Sequence, residues 1–232
     1  MKIKKITTII PLLFVLASCG DSEVSQDSSA ASQNSSKVPF KNIPSRNTGY
    51  KLGVDYGALS RPLPVKQDGI VEVVEIFWYA CGHCFSLEPV IGNWASKQGN
   101  SVNFKKMPVT WGEPQQLHAK LFYTIEALGI ADTAHQAVFT AIHKEGNSLG
   151  SEGAILDFLE KIGVDRSETL KYMNSFAVKQ KVKRAIELTR QFKVNAVPMM
   201  FVDGQYRIEA KRSNSEMLKV VDHVIELQKP VS

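Results

Sequence analysis

The stretch from Val71 to Pro89 reads Val-Glu-Val-Val-Glu-Ile-Phe-Trp-Tyr-Ala-Cys-Gly-His-Cys-Phe-Ser-Leu-Glu-Pro. Its first half is rich in strand-forming residues and its second half suits a helix, so Cys81 and Cys84 lie at a predicted strand-to-helix junction. A sulfur at the open N-terminus of a helix lies close to unpaired N–H groups and to the positive end of the helix dipole, and both favour a thiolate. Because a thiolate is the species that attacks disulfides, the spacing predicts a redox-active pair.

Two other interpretations of this pair are half of a zinc site and two ordinary buried thiols. A zinc site needs further ligands, usually a second Cys-x-x-Cys or two closely spaced histidines. The only other cysteine in the sequence is Cys19, and the histidines outside the stretch show no paired spacing: His118, His135, His143 and His223. We therefore expect redox chemistry and no metal site.

The composition is that of a globular protein, with 44% hydrophobic residues and a formal charge of +5. Lys2, Lys4 and Lys5 contribute to this charge, but they belong to a segment that is predicted to be removed. The sequence contains no basic cluster with interleaved aromatic residues, so we do not expect binding to nucleic acid.

The N-terminal segment has the features of an export signal. A basic start precedes an apolar run from Ile6 to Ala17, which has the length of a signal-peptide core and is short for a membrane span. The tetrapeptide Leu16-Ala17-Ser18-Cys19 resembles the bacterial lipobox, in which the signal peptide is cut before the cysteine and the cysteine carries lipid. We therefore predict a signal peptide at residues 1–18 and lipid on Cys19. The alternative is an ordinary signal peptide that is cut nearby and leaves a free thiol.

Residues 19–48 are rich in Ser, Asn, Gln and Ala and contain few large apolar residues. Such a segment buries too little surface to offset its ordering entropy, so we predict a lipid-anchored flexible linker. Export places the cysteine pair in an oxidising compartment, where disulfides persist. The predicted location is therefore the periplasm, with the protein attached to a bacterial membrane through lipid on Cys19.

Residues 49–112 are predicted to form the first part of an α/β domain. Strands are expected from Ile70 to Phe77 and from Val102 to Val109, with a helix from Phe85 to Trp94 between them. The first strand is apolar on both faces, as in a buried central strand, apart from Glu75. A buried acid tends to have a raised pKa, so Glu75 is a candidate functional residue beneath the cysteines. The alternative is a solvent-facing position at the border of the sheet.

Residues 113–192 show helical spacing throughout and predict an all-helical block. Four apolar stripes, which begin at Leu117, Ala134, Ile155 and Val178, predict its helices. Such stripes are usually core, so no chemistry is assigned to the histidines of this block, which are His118, His135 and His143. Residues 193–232 return to strand signals, with a hairpin around Asp203-Gly204 and a final helix that begins with a capping box at Ser213.

The sequence resembles the DsbA family of periplasmic thiol:disulfide interchange proteins, in the form of a lipoprotein. The resemblance rests on the strand before Cys81-Gly82-His83-Cys84, the helix from Phe85 to Trp94, the helical block and Ala196-Val197-Pro198. It implies an α/β fold, namely a thioredoxin fold with an inserted all-helical domain. It also implies that Val197-Pro198 is a cis peptide that faces the cysteine pair and binds substrate.

The same resemblance implies a role for each residue of the site. Cys81 is the nucleophile, Cys84 resolves, and His83 helps to stabilise the Cys81 thiolate. Glu75 matches the buried acid of the family, which is implied to move protons near Cys84. One departure concerns the dipeptide between the cysteines, which is Gly-His as in protein disulfide isomerase, whereas Pro-His is most often seen in DsbA proteins. This difference puts the oxidising strength in doubt, because the residues between the cysteines tune the redox potential.

The function implied is a thiol:disulfide oxidoreductase that introduces disulfide bonds into exported proteins through the Cys-Gly-His-Cys pair. Its partners would be newly exported or unfolded proteins that contain cysteine, and a quinone-linked membrane reoxidase of the DsbB type. No bound cofactor is needed. The alternatives are a periplasmic reductase or isomerase of the same fold, and a chaperone-like module that binds clients near Val197-Pro198 with the cysteines incidental.

Overall fold

A computed structural model describes residues 49–65, 69–211 and 213–229. The predicted signal peptide at 1–18, the lipidation site Cys19 and the linker at 19–48 lie outside these residues. Within the described part of the chain, no helix is long and apolar enough to cross a membrane. The boundaries suggested at residues 113 and 193 between the α/β part and the helical block stay predictions.

The sheet contains five strands in the described residues, and the strand that precedes the cysteine pair is not at its edge. The strands are β1 (Gly57–Ala58), β2 (Val71–Phe77), β3 (Val102–Pro108), β4 (Met199–Val202) and β5 (Tyr206–Glu209), in the spatial order β1-β5-β4-β2-β3. β2 pairs with β3 in parallel and with β4 antiparallel, so it lies inside the sheet. Val73, Ile76 and Phe77 of β2 are completely buried. The prediction of a buried central strand is confirmed.

Seven α-helices occur in the described residues: α1 (Gly82–Lys97), α2 (Glu113–Ala127), α3 (Ala131–His143), α4 (Glu152–Lys161), α5 (Arg166–Met173), α6 (Phe176–Gln191) and α7 (Asn214–Gln228). α1 follows β2 directly and contains Pro89, as predicted. Helices α2 to α6 confirm the helical block between the two parts of the sheet. The apolar stripes did not predict α5, because its eight residues are mostly polar. The side chain of Asp165 caps the first turn of this helix.

Alternate residues of the strands contribute to two separate core clusters, because successive side chains of a strand point to opposite faces. Phe201 of β4 packs in a cluster with the inserted helices, whereas its neighbour Met200 packs in a cluster with residues of α1 and α7. Val73 of β2 belongs to the second cluster. Glu75 lies two residues further along the same strand, so its side chain points to the side of the sheet that α1 covers.

The predicted hairpin at the end of the sheet is confirmed. β4 and β5 pair antiparallel, and the two turn residues Asp203 and Gly204 have φ values of 50° and 58°. Two consecutive positive φ values are typical of a two-residue hairpin turn. A side chain at Gly204 would lie 2.8 Å from the Cβ of Leu63, so this position also requires glycine for space.

Candidate functional site

The cysteine pair occupies the first turn of α1. Cys81 is the N-cap residue, with extended backbone angles, and its half-buried Sγ accepts a hydrogen bond from the Cys84 N–H at 3.3 Å. The backbone on either side is also fixed, since the Cys81 N–H donates to Trp78 O and the Phe85 N–H donates to Cys81 O, both at 3.0 Å. Cys84 is completely buried, and both residues are free thiols. A sulfur therefore takes the place of the oxygen that usually caps a helix.

The two thiols have opposite acidities. The Cys84 thiol, which hydrogen-bonds to Cys81, is the largest contribution that lowers the pKa of Cys81 to about 6; the backbone N–H groups of Cys84 and His83 and the charge of His83 add to it. Burial opposes this shift. The hydrogen bond to Cys81, followed by burial, raises the pKa of Cys84 far above its ordinary value. Near neutral pH, the pair therefore consists of an accessible thiolate and a buried thiol.

The peptide bond between Val197 and Pro198 is cis. Cys81 Sγ donates to the carbonyl oxygen of Val197 at 3.6 Å, which brings together two segments that are far apart in the sequence. Pro198 is buried and Val197 is half-buried. The loop before β4 therefore forms a second wall of the site, opposite the first turn of α1.

Glu75 is completely buried, which excludes the alternative that it faces solvent. Lys106 Nζ donates to Glu75 Oε2 at 2.5 Å and to Glu88 Oε1 at 2.8 Å, so one lysine holds two carboxylates. Burial is the main cause that raises the pKa of Glu75 to about 7; Glu88 and Cys81 add to the increase and Lys106 opposes it. A carboxyl with this pKa exchanges its proton near neutral pH.

Lys106 and Glu88 are site residues that sequence reasoning missed. Lys106 is the register partner of Glu75 across the parallel strands β2 and β3. Glu88 lies one helical turn beyond Cys84 on the buried side of α1. The signal available for Lys106 was its place near the end of the second predicted strand, from Val102 to Val109. That signal needs the strand register, which periodicity does not provide.

Two histidines to which no chemistry was assigned also reach this region. His135 and His143 are both on α3, and both contact Tyr79, which lies two residues before Cys81. His118 on α2 is buried and contacts Ser148 O at 3.1 Å. In the described residues, no cluster of three or more histidine, cysteine, aspartate or glutamate side chains has the arrangement of a metal site.

The fold and the site together define a thioredoxin-fold protein with a helical insertion and a pair of cysteines at the start of its first helix. Residues 91–219 match the family described as DSBA-like thioredoxin domain. The thiol:disulfide interchange protein DsbA of Pseudomonas aeruginosa is 40% identical over 182 residues, which cover 78% of this chain and 86% of that protein. The protein of the same name from Azotobacter vinelandii is 38% identical over 181 residues, covering 77% and 85%.

Solved structures agree with this relationship. A crystal structure of Pseudomonas aeruginosa DsbA matches with a TM-score of 0.73 and 40% identity, covering 77% of this chain and 94% of that structure. The oxidoreductase NmDsbA1 from Neisseria meningitidis matches with a TM-score of 0.68 and 26% identity, covering 77% and 94%. The chain therefore belongs to the DsbA family and is a thiol:disulfide oxidoreductase.

Proposed function

We propose that this protein is an oxidase of exported proteins, which transfers a disulfide between Cys81 and Cys84 to pairs of thiols in its substrates. The observation that carries this proposal is the contrast between an accessible thiol with a pKa of about 6 and a buried partner whose pKa is raised. A stabilised Cys81 thiolate is a good leaving group and makes the reduced enzyme favourable, and an oxidant needs both properties.

In the oxidising direction, a substrate thiolate attacks the Cys81 sulfur of the enzyme disulfide. The substrate–Cys81 disulfide forms, the enzyme disulfide breaks, and Cys84 leaves as a thiolate that takes up a proton. A second substrate thiolate then attacks the substrate sulfur of the mixed disulfide, and Cys81 leaves as a thiolate. The substrate loses two electrons and gains a disulfide, and the reduced enzyme ends with Cys81 as a thiolate and Cys84 as a thiol.

Glu75 supplies the proton that Cys84 takes up. Its carboxyl has a pKa of about 7, so it holds a proton in a large fraction of molecules at neutral pH. The pKa of Cys84 is far higher, and the charge of Glu75 contributes to that increase, so transfer from the carboxyl to the departing thiolate is downhill. Lys106 then balances the charge of the deprotonated carboxyl.

The substrate chain binds beside Val197 and Pro198. The Val197 carbonyl lies 3.6 Å from Cys81 Sγ, so a peptide that pairs with the backbone of this loop would place its own sulfur close to Cys81. Main-chain pairing gives affinity without selecting a sequence, which suits an enzyme with many substrates. His83 is exposed at the same surface, and its charge stabilises the Cys81 thiolate.

The proposed location is the periplasm, where lipid on Cys19 anchors the protein to a membrane and the segment 19–48 links the anchor to the folded part. Turnover requires an oxidant for the Cys81–Cys84 dithiol, for which family membership supports a quinone-linked membrane protein of the DsbB type. Replacing Cys19 by serine is expected to move the protein from the membrane fraction to the soluble fraction. An unchanged distribution would contradict the anchor.

The direction of electron flow is tested by equilibrating the full chain with glutathione buffers and measuring the fraction of Cys81–Cys84 disulfide. Potentials of about −120 mV are typical of DsbA, about −180 mV of protein disulfide isomerase and about −270 mV of thioredoxin. We expect a value between the first two, because the stabilised Cys81 thiolate favours oxidation of substrates while Gly82-His83 matches the isomerase. A value near that of thioredoxin would replace the oxidase by the alternative, a periplasmic reductase.

A further inference from the structure

Tyr79 is held at both its side chain and its backbone by two histidines of α3. The Tyr79 hydroxyl lies 2.8 Å from Nδ1 of His135, and the Tyr79 carbonyl oxygen lies 2.8 Å from Nε2 of His143. A carbonyl only accepts, so His143 donates through its Nε2–H. The two histidines are about two turns apart on one helix, which places them on the same side of α3. Tyr79 itself is completely buried.

Each of these histidines also contacts α1. The ring of His143 stacks on Phe85, with centroids 4.8 Å apart and planes inclined by 6°. His135 Nε2 lies 3.3 Å from Glu88 Oε2. His143 thus joins the residue two positions before Cys81 to the residue directly after Cys84. His135 joins the same Tyr79 to the carboxylate that shares Lys106 with Glu75.

The hydrogen bond of His135 is to the Tyr79 hydroxyl, which Nδ1 accepts when the ring proton is on Nε2. Nε2 then lies 3.3 Å from Glu88 Oε2, close enough for an electrostatic contact but without an aligned hydrogen bond. Burial lowers the pKa of His135 and nearby Lys106 acts in the same direction, whereas Glu88 and Glu126 oppose the shift, Glu88 the most strongly. The contacts described therefore need only a neutral imidazole.

We propose that His135 and His143 form a clamp through which the inserted helices position the strand-to-helix junction that carries Cys81, and that this clamp is required for the full oxidising strength of the pair. The proposal rests on the proposed function. Two backbone hydrogen bonds fix Cys81 in this junction: the Cys81 N–H donates to Trp78 O, and the Phe85 N–H donates to Cys81 O. The clamp holds Tyr79 and Phe85, which adjoin these groups.

The chemistry of the two residues favours a positioning role over simple packing. The surrounding side chains include Phe77, Phe122 and Phe139, so an aromatic hydrocarbon ring would fit this environment. Histidine in such a place is costly unless its nitrogens have partners. The polar contacts of the two rings are to Tyr79, which follows β2, and to Glu88 on α1, so they are directed to the junction. Small displacements of a capping N–H alter how well it stabilises a thiolate.

The first test compares His143→Phe with His143→Gln in the full chain. Phenylalanine keeps a ring that stacks on Phe85 but removes the N–H donor, whereas glutamine places an N–H donor near the position of Nε2. We expect His143→Phe to weaken the enzyme as an oxidant by about threefold to tenfold in its equilibrium constant with glutathione, the equivalent of one hydrogen bond. The pKa of the Cys81 thiol, followed by thiolate absorbance, should rise in parallel. In His143→Gln, the equilibrium constant with glutathione should lie within about twofold of that of the unmodified protein, and the pKa of Cys81 should change correspondingly little.

The second test is a double-mutant cycle on Tyr79 and His135. Tyr79→Phe and His135→Phe each remove one side of the same contact, so their effects on the glutathione equilibrium should be smaller in combination than their sum. Tyr79→Phe and His143→Phe should be additive, because His143 contacts the backbone carbonyl, which remains in the Tyr79 variant. If a histidine variant does not fold, Tyr79→Phe alone still tests whether loss of the contact between Tyr79 and His135 weakens the oxidant.

His223→Phe is the matched control. His223 is also buried, but it lies on α7 and contacts the rings of Tyr50 and Tyr56, both with centroids 5.6 Å away. We expect this variant to change the free energy of unfolding and to leave the Cys81 titration and the glutathione equilibrium unaltered. If His143→Phe and His135→Phe behave in the same way as this control, the clamp is only structural and the proposal fails. Failure of the proposed function would instead be seen in the unmodified chain, as an absence of oxidising activity.

Discussion

The surroundings of Cys81 and those of Cys84 differ more than the three residues between them suggest. Cys81 is half-buried at the end of a helix and faces backbone N–H groups, the exposed His83 and the Val197 carbonyl. Cys84 is completely buried, and the charge of the buried acid Glu75 contributes to its raised pKa. The surroundings of Cys81 therefore supply hydrogen-bonding groups to an accessible sulfur, whereas those of Cys84 enclose its sulfur in the core.

This difference shows how one residue type performs two tasks in a single helical turn. The hydrogen bond from the Cys84 thiol and those from backbone N–H groups favour the charged form at Cys81, whereas the hydrogen bond to Cys81 and then burial disfavour it at Cys84. In the proposed function, this asymmetry gives attack and departure to Cys81 and proton exchange to Cys84. The effects of substitutions on the protein are expected to be largest when a sulfur is altered, smaller when Glu75 is altered, and smallest when His83 is altered.

The largest effect is expected from replacing each cysteine by serine in turn. Cys81→Ser should abolish disulfide formation in a reduced client, because the remaining thiol is buried and protonated. Cys84→Ser should also lose turnover, but it keeps the nucleophile and should therefore accumulate a mixed disulfide with an activated disulfide substrate. Non-reducing electrophoresis and mass spectrometry distinguish the two. Mixed disulfides at Cys84 in the Cys81→Ser variant would reverse the assignment.

A smaller effect is expected from Glu75→Gln, measured as the pH dependence of stability of the reduced chain. The pKa of Glu75 in the folded state, about 7, is above its ordinary value of 4.5. The folded state therefore binds more protons between these values, and the contribution of Glu75 to stability is lost as pH rises through this window. Glutamine removes this loss, so the free energy of unfolding at pH 8 should increase by up to about 3 kcal/mol. The lost contact with Lys106 reduces the gain.

Glu72→Gln is the control for this measurement. Glu72 is on the same strand and contacts Lys105 at 2.5 Å, but its side chain is 30% exposed. An exposed pair contributes little, so this variant should change the free energy of unfolding much less than Glu75→Gln does. Equal pH profiles for Glu75→Gln and the unmodified protein, measured by urea unfolding, would contradict the buried-acid interpretation.

Cys81 changes the stability of the reduced form with pH in the opposite direction to Glu75. Because its pKa is lowered in the folded state, the reduced form becomes more stable as pH rises from about 6 to 9.0.

The smallest effect is expected from His83→Gln. The charge of His83 is the last of the contributions that lower the pKa of Cys81, after the Cys84 thiol and the two backbone N–H groups. Glutamine keeps the backbone donor and removes only the charge, so the Cys81 titration should move upward slightly and the glutathione equilibrium should shift slightly toward a weaker oxidant. Thiolate absorbance measures the first change. A shift larger than that of His143→Phe would show that the side chain of His83 dominates over the geometry of the junction.

Much of the fold was predictable from local patterns. The run before Cys81 identified a buried central strand, the spacing after it identified α1, and Asp203-Gly204 identified the hairpin turn. These predictions succeed because strand and helix periods, turn residues and capping residues act over a few positions. α5 was missed because a short polar helix has no apolar stripe.

Residue patterns alone predicted only those residues of the candidate site that lie close together in the sequence. The cysteine pair, its place at a helix start and the buried Glu75 all follow from one stretch. Lys106, Glu88 and the partners of Tyr79 do not, because their positions depend on strand register and on how α3 packs against α1. His135 and His143 are in an apolar stripe that predicts core, and that pattern does not reveal that their nitrogens face the junction.

By itself, the sequence determined which sulfur lies at the open end of a helix, because that depends on residues adjacent in the chain. It also determined that one acid, Glu75, lies within a strand whose pattern predicts burial. Only the tertiary structure decided that Lys106 neutralises this acid, that the Val197 carbonyl lies against Cys81, and that α3 holds Tyr79 at both ends. These contacts join segments separated by many residues, and their geometry is set by packing, which no local pattern encodes.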